Sequence, residues 1–130
     1  MRVAIITGGR DQSPDEADKT QLLNAIMFYS ITHVLHGACK GVDMWAHTAL
    51  KAAGVRVMAV PALWDAEGPS AGPKRNAAML DIARWMTDGA CWEPAAKPVC
   101  IAFPGGKGTE GMKVLAKGAG LEMVEIGGDA

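Results

Sequence analysis

Short β-branched apolar runs alternate along the chain with stretches whose apolar residues recur every three or four positions. The runs from Val3 to Thr7, His33 to His36, Val55 to Val60, Val99 to Phe103 and Leu121 to Ile126 read as strands. Their near-continuous apolar character suits parallel strands covered on both faces. Between them, the first helix has the clearest start: Ser13 as its cap, Pro14 at the first helical position and Glu16 completing a capping box. Leu22, Leu23, Ile26 and Tyr29 form its inward stripe. A second helix is expected from about Val42 to Ala53, with Trp45, Ala49 and Leu50 inward and Gly54 as its stop. A third follows Gly72 and Pro73 and turns Ala77, Leu80 and Ile82 to the core. The segment from Met86 to Lys97 reads as a less regular connection, and a last helix runs from near Thr109 to Gly118–Gly120.

Strands alternating with helices predict an α/β fold: a three-layer Rossmann-like sandwich with a five-stranded, mainly parallel sheet in the order 3-2-1-4-5. Such sheets bind ligands at the carboxyl ends of the strands, beside the point where strand order reverses. The loops that matter are then TGGR after the first strand, HGACKGVD after the second, the stretch before the third helix, and PGGKGT after the fourth.

Composition narrows the partners. A chain of 130 residues suits one domain, residues 1–130, able to bury a full core. Thirteen Lys and Arg against fourteen Asp and Glu leave a net charge of −1, which gives no general attraction for nucleic acid, so any anion site is local. Cys39, Cys91 and Cys100 form no CxxC pair and have too few histidines nearby for a zinc site; no metal is expected. Free thiols and the absence of a leader-like or membrane-length apolar run make a cytoplasmic protein the expectation.

The glycine-rich loop CIAFPGGKGTEGM is not a Walker loop, because Lys107 is followed by Gly108 and position 101 is Ile. Gly106, Gly108 and Gly111 fit GxGxxG, with Glu125 at a distance suited to a ribose, but on the fourth strand rather than the first. A plain tight turn is the other reading. In TGGR, Gly8 and Gly9 allow close backbone approach and Arg10 is a fork-shaped anion donor. In GPSAGPKRNAAML, Lys74 and Arg75 stand at the positive end of a helix dipole, where a free helix prefers carboxylates. A phosphate held by helix N–H groups, Lys74, Arg75 and the Asn76 amide would supply the missing charge; two solvated cations are the alternative. In HGACKGVD, Gly37 precedes Asp43, which either accepts from ribose hydroxyls or compensates its helix dipole. His36 reads as a satisfied strand-end residue and His47 as an exposed one, and neither finds a partner in the sequence. Trp64, near Glu67, either stacks on a base or belongs to the core.

Together TGGR, HGACKGVD, AGPKRNAAML and AFPGGKGTEGM resemble the SLOG superfamily, the Rossmann-like group that includes DNA-processing A proteins and lonely-guy enzymes. The likeness is closest to its YspA-related branch of small phage or bacterial domains of unknown function, and it spans residue 2 to about 126. The resemblance implies a nucleotide or nucleotide-derived ligand at an edge formed by Gly8, Gly9, Gly37 and Asp43, by Arg75 and Asn76, and by the loop Gly105, Gly106, Lys107, Gly108 and Thr109. Lonely-guy enzymes carry PGGxGTxxE, whose final Glu serves the sugar and the reaction centre; here that position is Met112. Glu110 lies about 200° away around a helix and is no substitute. A binding module that senses or sequesters a nucleotide is the favoured expectation. An N-glycosidic or phosphate-bond hydrolase using Asp43 or Glu67 is the alternative. No cofactor, nucleic acid or membrane partner is expected, and self-association into a homo-oligomer stays open.

Overall fold

A computed structural model describes residues 1–87 and 97–127; Cys91 and most of the connection expected between Met86 and Lys97 lie outside the described residues. Strands β1 (Val3–Thr7), β2 (His33–His36), β3 (Arg56–Ala59), β4 (Val99–Ala102) and β5 (Glu122–Glu125) form one parallel sheet in the order β3-β2-β1-β4-β5. The expected α/β architecture and strand order are those observed. In register, Val3 stands opposite His33 on one side, and Ile5 stands opposite Cys100 on the other.

Two apolar layers cover the sheet. Ala4 and Ile6 of β1 face α1 (Glu16–Phe28) and α2 (Val42–Ala52), packing with Leu22, Ile26, Val42, Ala46 and Leu50. Val3 and Ile5 face the opposite way, onto α4 (Ala71–Met86) and α5 (Lys107–Gly118), where Met79, Leu80, Ala83, Met112 and Ala116 pack. The alternation follows from the two-residue period of a strand. The order in which strands are added reverses between β1 and β4, and right-handed crossovers then place the two pairs of helices on opposite faces. A four-residue α3 (Trp64–Glu67) and a 3₁₀ turn (Gly68–Ser70) lead into α4; neither is signalled by periodicity, because each is shorter than a helical repeat needs.

Several local expectations are corrected. The cap of α1 is Asp15, not Ser13: its carboxylate accepts from Asp18 N (2.9 Å), while Asp18 accepts from Asp15 N (3.0 Å). A carboxylate accepts more strongly than a hydroxyl, so the acidic pair displaces the Ser13–Glu16 box. Ala77 is exposed and lines the cleft at the carboxyl edge of the sheet; the buried stripe of α4 is Asn76, Met79, Leu80 and Ala83, at the i, i+3, i+4, i+7 spacing of one helix face. In α2, Ala46 and Leu50 are fully buried, and Trp45 packs only partly, edge-on to Phe103. Strand β3 lies at the sheet edge with three of its four residues exposed, so coverage on both faces does not extend to it. Among the described residues no helix is long and apolar enough to cross a membrane.

Candidate functional site

The loops after β1, β2 and β4 meet the start of α4 at the carboxyl edge of the sheet and enclose a cleft of about 710 Å³. Backbone bonds hold the loops together. Gly9 N–H donates to Pro104 O (2.8 Å), and Val42 N–H donates to Gly9 O (3.2 Å). A Cβ at Gly8 would stand 2.6 Å from Val42, and one at Gly105 would collide with Thr109 Oγ1. These glycines therefore serve close packing of loop on helix. Gly41 carries φ +84° beneath the carbonyls of Gly9 and Arg10, a conformation and a space that only glycine fits.

The amino end of α5 opens into the cleft through Gly106, Lys107, Gly108 and Thr109, and no side chain caps it. Its first-turn N–H groups and the helix dipole present positive potential to the space. Facing it, Arg75 donates through Nε to Asn76 Oδ1 (2.9 Å) and through a terminal nitrogen to Gly37 O. Its guanidinium makes no ion pair among the described residues. Asn76 is 4% exposed and donates through Nδ2 to Gly108 O (3.1 Å). A Cβ at Gly37 would enter the guanidinium of Arg75. Half-buried Cys39 lies beside it, with Sγ 3.9 Å from a terminal nitrogen.

Asp43 is the carboxylate of this wall, 5% exposed. One oxygen accepts from Gly37 N (3.1 Å) and Cys39 N (3.3 Å), while the other has no hydrogen-bond partner among the described residues. Burial pushes its pKa up to about 6 against the opposing pull of the Cys39 N–H, the Arg75 charge and the Gly37 N–H. At the end of β2, next to Gly37, His36 is fully buried. Ala38 N–H donates to its Nδ1 (3.0 Å), so its proton sits on Nε2 and is given to His47 Nδ1 (2.8 Å). Burial, then the neighbouring His47 and Arg75, lower the His36 pKa to about 4. This imidazole pair stabilises a loop that includes Ala38 in the left-handed region (φ 60°).

No protein-family model, curated protein or solved structure matches this chain.

Of the residues singled out in the sequence, Gly8, Gly9, Arg10, Gly37, Asp43, Trp64, Arg75, Asn76, Gly106, Lys107, Gly108 and Thr109 all line the one cleft. Gly105 stands behind the loop, against Gly9 and Thr109. Lys74 and Glu67 do not line it. They pair with each other at 3.1 Å, so one of the two apparently misplaced cations is neutralised by a carboxylate from the preceding turn. Glu125 is far from a ribose role: it is bound to Lys113 on the exposed side of β5. Trp64 is 49% exposed beside Gly72, a cleft wall rather than core. Met112 is fully buried between sheet and helices, and Glu110 is exposed and pairs with Lys113. The His36–His47 contact was missed. Both lie on elements whose contact depends on tertiary packing, and eleven residues separate them.

Proposed function

We propose that this chain binds a nucleotide or nucleotide-derived small molecule, with its phosphate between the amino end of α5 and Arg75 and its base against Trp64. The observation that carries the reading is a convergence: an uncapped helix start and a guanidinium without an ion pair face one cleft of about 710 Å³. Backbone N–H groups at a helix start and a planar guanidinium are the groups that recognise phosphate. The volume falls in the range of small-ligand sites, and a half-exposed indole offers a stacking face. The likeness of the four loops to the SLOG superfamily and its YspA-related branch supports the same ligand class. It also makes a cytoplasmic sensing or sequestering module the natural role.

A thermal-shift screen of mono- and dinucleotides, cyclic dinucleotides and ADP-ribose derivatives tests it. A ligand at a hundred times its Kd stabilises the folded state by about 2.7 kcal/mol. At least one phosphorylated nucleoside should raise the melting temperature well above the shift given by its unphosphorylated counterpart. No shift with any member at millimolar concentration would overturn the reading.

One observation favours hydrolysis as a second reading. Asp43 lines the cleft with its pKa raised to about 6, the range in which a carboxyl group exchanges protons near neutral pH. Glu67, the other candidate carboxylate, is outside the cleft and held by Lys74. Release of free base or phosphate during incubation with nucleotides, abolished in Asp43→Asn, would establish that reading.

A further inference from the structure

Asn76 was expected to offer its amide to a phosphate, yet both ends of that amide are engaged within the protein. Oδ1 accepts Arg75 Nε–H at 2.9 Å, Nδ2 donates to Gly108 O at 3.1 Å, and the residue is 4% exposed. The two partners are the two anion-attracting features of the cleft. Arg75 carries the cation, and Gly108 lies in the first turn of α5, whose N–H groups face the same space. Arg75 also reaches Gly37 O in the loop after β2. A continuous bridge thus runs from Gly37 O through Arg75 and Asn76 to Gly108 O, joining loops from opposite sides of the strand-order reversal. An amide is the side chain suited to the central place, since it accepts from a cation on one side and donates to a carbonyl on the other.

We propose that Asn76 is the positioning residue of the cleft: it contacts no ligand, and it holds the Arg75 guanidinium and the α5 amino end in one arrangement so that both bind the same phosphate. The inference rests on the nucleotide-binding reading above. A long arginine side chain is otherwise free to sample several rotamers, and fixing it before binding removes that ordering cost from the association. Truncating Asn76 frees Nε and leaves Gly108 O without its side-chain donor, so the phosphate meets two independent weak contacts instead of one prepared site.

The test is calorimetric titration of AMP and of adenosine into the wild-type protein, Asn76→Ala, Arg75→Ala and the double variant. Asn76→Ala should lower AMP affinity at least tenfold and leave adenosine binding within threefold. In the Arg75→Ala background the same truncation should cost AMP less than threefold, because the cation it positions is gone. Equal loss for AMP and adenosine, or full additivity with Arg75→Ala, would overturn the positioning role while leaving nucleotide binding intact. Absence of wild-type binding to AMP and to every other nucleotide of the thermal-shift screen would overturn both; where another member binds and AMP does not, the same four proteins are titrated with that nucleotide and its dephosphorylated form. Should the buried substitution prevent folding, the unmodified protein still decides. The Arg75 Nε–H resonance should be protected from solvent exchange and shift on addition of AMP, whereas fast exchange, or no shift at saturation, would contradict the bridge.

Discussion

Asp43 and His36 are both neutral between about pH 4 and 6 in the folded chain, their effects on stability run in opposite directions with pH, and Asp43→Asn separates them. The folded chain raises the Asp43 carboxyl from 3.8 to about 6, which at about 1.4 kcal/mol per pH unit amounts to about 3 kcal/mol. The unfolded chain ionises this group first, so its contribution to stability falls as pH rises from about 3.8 to 6 and is at its least favourable above that. His36 is lowered from 6.5 to about 4, again about 3 kcal/mol, with the opposite sign. The unfolded chain takes up this proton first, so stability is lost as pH falls from about 6.5 to 4. In the wild type the two slopes nearly cancel between pH 4 and 6. An asparagine keeps an acceptor for the Gly37 and Cys39 N–H groups but does not titrate. Urea unfolding of both proteins at several pH values measures the difference in stability. That difference should move by about 2 kcal/mol in favour of Asp43→Asn as pH rises from 4 to 6.5, with the variant alone showing a steep acid loss from His36. A difference independent of pH would refute the assignment of a buried, poorly solvated carboxylate at position 43.

Arg75→Ala should weaken AMP binding by about 1.5–3 kcal/mol, the scale of a charged hydrogen bond, with adenosine unaffected; calorimetry reads both. Met112→Glu should lower stability by several kcal/mol in denaturant unfolding, because it forces a carboxylate into a fully buried site among apolar side chains. Chromatography of AMP incubated with the wild-type protein should find no enzyme-dependent free base, since Met112 is a thioether packed in the core and brings no carboxylate to the cleft.

The strands were legible in the sequence because they rest on signals that survive without tertiary context, β-branched runs separated by helical periodicity and broken at glycines, and their order then rests on right-handed crossovers. The membership of the cleft followed from it, since the carboxyl ends of β1, β2 and β4 must lie side by side once the order is known. What the side chains do within the cleft was less visible. Lys74 and Arg75 are adjacent and alike, but a 100° turn of helix sends one to Glu67 and the other to Gly37 O. Asn76 reads as a ligand contact until its two partners, 1 and 32 residues away, are seen. The imidazole pair likewise depends on β2 and α2 meeting at one register.

The central claim is that the amino end of α5 holds a phosphate, and the amide resonances of that turn report it directly. In a ¹⁵N-labelled sample titrated with AMP, the N–H signals of Gly106, Lys107, Gly108 and Thr109 should shift saturably, together with those of Gly9 and Gly37. Titration with adenosine to the same concentration should leave the α5 signals in place. Shifts confined to other surfaces, or α5 signals that move equally with adenosine, would contradict the account.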